Sequence, residues 1–194
     1  MKHDLLEIAH RSGRGVIEAA LIPVNKIEVV DQLAMICRDP GCPNYGASPG
    51  CPPHVAGPPA FRTWLKETEA ALFIKIEVPM ESLLSHEYRD IMRLLHEVVA
   101  DIEQEVIRAG YVKSKGFAGG SCKELFCGAY TDCNVLERES DCRNPGRSRP
   151  SMSGFGVNVT KLKEIAGWNQ AAHMEIGQGE EQPLGAVYGL VLVG

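Results

Sequence analysis

Apolar residues recur at three- and four-residue steps from about Glu81 to Ala109, where Ile91, Leu94, Leu95, Val98, Val99, Ile102 and Val106 form one stripe. That period predicts a long amphipathic helix, ended by Gly110. Two denser runs, AALFIKIEV (residues 70–78, closed by Pro79) and GAVYGLVLV at the end of the chain, predict strands with buried side chains. Shorter patterns fill in the rest. LLEIAHRS reads as a short helix before the Gly13/Gly15 break, GVIEAALIP as a first strand ending at Pro23, and PPAFRTWLK as a helix with proline at its start. YVKSKGF reads as a third strand and VTKLKEIAGW as a short helix. The order is β-α-β-α-β, then loops, then α and β. With about four strands it predicts an α+β fold, a small ferredoxin-like α/β sandwich with helices on one face.

Two stretches, 37–54 and 119–150, show neither period, and all seven cysteines fall within them. A chain of 194 residues, 44% of them hydrophobic, suits a single domain spanning 1–194 that buries its core without disulfides, so stability does not account for the thiols. The N-terminal MKHDLLEIAHRSGRG carries charges inside its apolar stretch, unlike a secretion signal, and no apolar run approaches the ~20 residues of a membrane span. A cytoplasmic protein without membrane attachment is expected. There, an odd number of clustered cysteines points to metal or redox chemistry rather than to disulfides. The 20 Lys and Arg against 25 Asp and Glu leave a net charge of −5, which gives no broad attraction for nucleic acid.

The cysteines divide into two sets. The first is Cys37-x4-Cys42-x8-Cys51, and the second is Cys122-x4-Cys127-x5-Cys133-x8-Cys142. Four thiolates are what a [4Fe–4S] cluster or a structural zinc requires. Zinc sites favour tight knuckles, and this chain has no C-x2-C pair. The open spacing suits an object larger than one ion, which a loop can wrap while Gly116, Gly119 and Gly120 let backbone N–H groups approach. Zn remains the alternative.

The first set offers only three thiolates, which leaves one coordination position for water, a substrate or another ligand. His54 is the nearest candidate to fill it. Pro43, Pro49, Pro52 and Pro53 restrict the backbone around these cysteines to extended and turn conformations, which presets the thiolates. Whether the two loops build one site or two stays open at this level. Arg143, Arg147 and Arg149 follow the second set, either to tune a cluster or bind an anionic partner group, or as a solvated turn with salt bridges. Ser151 reads as a helix cap, since no nucleophile setting surrounds it. Tyr45 and Tyr130 sit inside the cysteine loops, as shields or as ordinary packing. Phosphate-binding loops of the Walker or G-x-G-x-x-G type are absent from the sequence.

The succession C-x4-C-P-N-Y-G, C-P-P-H, G-G-S-C and C-R-x-P-x-x-x-R-P-S-M resembles the family called domain of unknown function 2284, whose members are described as predicted metal-binding proteins. The resemblance runs from about residue 5 to residue 160 and places Cys37, Cys42, Cys51, Cys122 and Cys142 in family-like contexts. The middle of the second loop, CKELFCGAYTDC, departs from the more compact C-x2-C found in similar proteins. Similar proteins are typical of anaerobes, some with corrinoid-dependent methyl transfer, which implies a low-potential electron role.

The expectation is therefore an iron–sulfur protein with one or two [4Fe–4S] clusters that passes electrons to a redox protein partner. An enzyme with an open iron, activating a small sulfur- or oxygen-containing molecule, is the second reading. A zinc-stabilised, non-redox binding module is the third.

Overall fold

In the computed structural model, which describes residues 4–13, 17–137, 141–169, 173–177 and 180–194, the chain opens with α1 (Leu5–Ser12), β1 (Glu18–Ile22), α2 (Asp31–Met35) and α3 (Gly57–Leu65). It continues through β2 (Ala70–Pro79), α4 (Met80–Leu83), α5 (Tyr88–Arg108), β3 (Lys115–Phe117) and α6 (Cys122–Cys127). The remaining elements are α7 (Asn134–Glu137), α8 (Val159–Ala166), β4 (His173–Gly177) and β5 (Glu180–Val193). The sequence-predicted start of the first strand, Gly15 and Val16, lies outside the described residues.

The sheet order is β1-β2-β5-β3, antiparallel at every step, with β4 pairing β5 as a hairpin. β2 and β3 both run against β5, so they are parallel to each other and joined by α5, a split βαβ unit. β1 lies outside β2, and α1 packs beside α5. The helix and strand that close a ferredoxin-like sandwich here open the chain, and the α+β class follows.

The long registers explain why two apolar runs were so visible. β2 pairs with β5 from Ala70↔Val193 to Pro79↔Leu184, which places both strands in the centre of the sheet with both faces covered. Leu72, Ile74 and Ile76 face α1 and the Leu95, Val99 and Ile102 stripe of α5. Here α5 lies so close to the sheet that a Cβ on Gly189 would stand 2.4 Å from Val99 Cγ2, which only glycine avoids. Ala71 and Phe73 point to the other face, which α3, α8 and a 3-10 turn (Met152–Phe155) cover with Phe61, Phe155 and Leu162. Helices thus cover the second face as well as the expected one.

The long helix starts later than its periodicity suggests. α4 and α5 are separate because the Ser85 hydroxyl donates to Ser82 O (3.0 Å) and accepts from Glu87 N–H (3.1 Å), a side-chain competition that ends the first turn beside the exposed Leu84.

Candidate metal centre

Both cysteine loops are stitched to the exit of β3. Ala118 N–H donates to Pro150 O and Met152 N–H to Ala118 O, each at 2.9 Å, while Ser151 N–H donates to Gly50 O at 3.1 Å. The end of the second loop is thereby fixed to the sheet, and the first loop is fixed to it. Phe155 anchors the 3-10 turn against Phe117, ring centres 5.1 Å apart, so Ser151 and Ser153 are held by the aromatic core beneath them.

His96, on α5, ties the two ends of the second loop together. Its Nε2 lies 2.7 Å from Gly119 O, and its Nδ1 accepts the Arg149 N–H at 3.0 Å. These partners require a neutral ring protonated at Nε2. Burial, together with the nearby Arg149 charge, lowers its pKa to about 4, against the opposing pull of the Gly119 carbonyl. Arg149 is itself paired with Glu103 on α5, and Glu103 also accepts the Gly116 N–H at 2.7 Å. Gly116 therefore serves this packing.

The two cysteine sets line two separate cavities. Cys122, Cys127, Cys133 and Cys142 all border one of about 380 Å³, with Lys123, Phe126, Asn144 and Arg149 among its other walls. Cys37, Cys42 and Cys51 border another of about 110 Å³, with Asn44, Tyr45, Gly120, Ser121, Ser151 and Ser153. Gly120 adopts φ +77°, so its backbone can turn against this smaller cavity. All seven thiols are free, Cys51 buried and Cys42 and Cys142 exposed. Pro49 and Gly50, directly before Cys51 of the smaller cavity, line the larger one, so the two cavities are neighbours.

Hydrogen-bond donors are aimed at sulfur in both places. Asn144 directs its side-chain N–H to Cys127 Sγ (3.3 Å) and its backbone N–H to Cys142 Sγ (3.4 Å). Ser48 and Ser148 hydroxyls donate to Cys122, and Ser153 donates to Cys37. Donors of this kind favour thiolates, yet burial outweighs them and pushes the Cys37 and Cys122 thiols up, helped by neighbouring cysteines. A bound cation reverses that balance by stabilising the thiolate directly. An all-sulfur donor set with N–H and O–H groups pointing at it fits a thiophilic metal centre.

The other sequence candidates fall in distinct places. His54 Nε2 lies 3.2 Å from Gly46 O, and His54 is not among the residues that line the small cavity. Arg143 pairs with Asp132 at 3.3 Å and lies over the Tyr130 ring, and Arg147 pairs with Glu97 and lies over Phe126. With Arg149 on Glu103, all three arginines follow the salt-bridge reading. Ser151 precedes the 3-10 turn without capping it; its hydroxyl meets that of Ser153 at 2.7 Å. Cys122 and Cys127 form the two ends of α6 instead of lying in loop, a six-residue helix with one buried side chain, Leu125.

Sequence reasoning missed three residues. His96 was detectable as a polar residue on the apolar face of α5, four residues after Met92 and three before Val99. Glu103 and Asn144 carried no local signal, because their roles depend on partners distant in the chain.

Among the described residues, no three His, Cys, Asp or Glu side chains are placed to hold a single metal ion, and no helix is long and apolar enough to cross a membrane. The search of curated proteins and that of solved structures found no significant match. The sequence model of one family, described as predicted metal-binding protein (DUF2284), matches residues 20–193, which include all seven cysteines, and the chain belongs to this family.

Proposed function

We propose that this is a cytoplasmic iron–sulfur protein in which Cys122, Cys127, Cys133 and Cys142 hold a [4Fe–4S] cluster and Cys37, Cys42 and Cys51 hold a second centre. Its role is low-potential electron transfer to a redox protein partner in anaerobic metabolism. The observation that carries this reading is the convergence of the four second-set thiols on one cavity of about 380 Å³, with Asn144 donating to two of the sulfurs. Four thiols around a volume of that size suit a polynuclear group better than one ion. A cluster supplies a one-electron couple. The chain's own contribution is to fix its ligands, aim donors at their sulfurs and set solvent access. Pro49 and Gly50 in the wall of the larger cavity, directly before Cys51 of the smaller, favour two neighbouring centres.

The second reading is enzymatic. It is favoured by the count of three thiols in the smaller cavity, where protein cysteines leave one position open, and by a further cavity of about 310 Å³ that shares Tyr45 and Pro52 with it. Site-resolved loading tests the shared basis of both readings. Cys142→Ala should lose the metal of the larger cavity and keep that of the smaller, and Cys37→Ala should do the reverse. Full metal content in either variant overturns the assignment of that cysteine.

A further inference from the structure

The cavity of about 310 Å³ outside the three-cysteine site differs from the rest of the cysteine region in one respect: its cation is free. Arg38, directly after Cys37, lines it and makes no hydrogen bond or ion pair among the described residues. Asp31 on the same wall is already paired with Arg62 at 3.0 Å. The arginines of the larger cavity, Arg143 and Arg149, are likewise taken by Asp132 and Glu103. Beyond Arg38 and Asp31 the outer wall is largely apolar, with Met35, Val55 and Pro58.

We propose that this outer cavity seats a small anionic molecule, its carboxylate on Arg38, its apolar body along Met35, Val55 and Pro58, and a thiol end reaching past Tyr45 toward Cys37, Cys42 and Cys51. This rests on the enzymatic reading above. A planar guanidinium with no internal partner matches a carboxylate in two-point fashion. The volume lies within the range of small-molecule sites. The thiol binds as its thiolate. Its sulfur takes the position that three cysteines leave open, its proton passes to solvent, and nothing is oxidised or reduced.

The test uses a matched pair of probes, 6-mercaptohexanoate and 6-mercaptohexanol, which share length and sulfur and differ in charge. Binding to metal-loaded wild type, Arg38→Gln and Arg38→Lys is followed by calorimetry and by the absorption of the centre, with metal content measured on each sample. The proposal expects the carboxylate probe to bind wild type about tenfold more tightly than the alcohol. Arg38→Gln should remove that preference, and Arg38→Lys should restore part of it. Equal affinity of both probes for loaded wild type, or a preference that survives Arg38→Gln, overturns this inference and leaves the open site standing. Binding of neither probe to loaded protein overturns it along with the open site. A three-cysteine cavity that takes up no metal overturns the underlying reading.

Discussion

The side-chain amide of Asn144 donates to Cys127 Sγ at 3.3 Å, which ties the turn after Cys142 to the end of α6. Because the Asn144 backbone N–H meets Cys142 Sγ as well, one residue aligns two sulfurs that are fifteen positions apart. Outer partners of this kind are worth about 10–100-fold in metal affinity when removed. Asn144→Ala is expected to weaken loading of the larger cavity by that amount while leaving the smaller one unchanged. Competition with a chelator, read separately in the Cys37→Ala background, checks it. Unchanged affinity would show that the two N–H···S contacts have no part in binding.

His96 predicts a pH dependence for the metal-free protein. Its folded pKa of about 4 lies below the ordinary 6.5, so the neutral ring stabilises the fold fully above pH 6.5, and that contribution is lost as pH falls toward 4. The total is on the order of 3 kcal/mol, from a shift of about 2.5 units at about 1.4 kcal/mol each. Urea unfolding between pH 7 and pH 5, above most carboxylate titration, should show a steep decline. His96→Phe should lower stability at pH 7 by about 2 kcal/mol, by orphaning Gly119 O and Arg149 N–H, and flatten the pH profile. An equally steep profile in the variant would assign the dependence to other groups.

Glu103 and Arg149 form a nearly buried pair, with side chains 13% and 11% exposed. Glu103→Ala strands the guanidinium and releases Gly116 N–H, so a loss of about 3 kcal/mol is expected, with loosening of the segment that holds Ser148 and Pro150 at the larger cavity. The double variant Glu103→Met/Arg149→Met should be more stable than Glu103→Ala alone. If the single and double variants lose the same stability, the ion pair is not what holds the segment.

The strands and helices that were readable in the sequence are those whose burial sets a period. β2 and β5 bury both faces, and α5 carries Leu95, Val99 and Ile102 on a single stripe, so each announces itself locally. α6 buries only Leu125 in six residues, too few for any repeat, and the β4 segment HMEIG alternates polar and apolar residues over only five positions, too short a run to stand out. The two sets into which the cysteine spacing divides the thiols border two different cavities. The spacing could not show that the two cysteine loops lie side by side, because Ser151 on Gly50 and Ala118 on Pro150 are links between segments far apart in sequence.

Iron, acid-labile sulfide and zinc analysis of anaerobically purified protein tests the central claim most directly. The account predicts brown protein with iron and sulfide at about one to one, little zinc, and a broad absorption bleached by dithionite. Colourless protein carrying stoichiometric zinc, and still without sulfide after anaerobic cluster reconstitution, would contradict it.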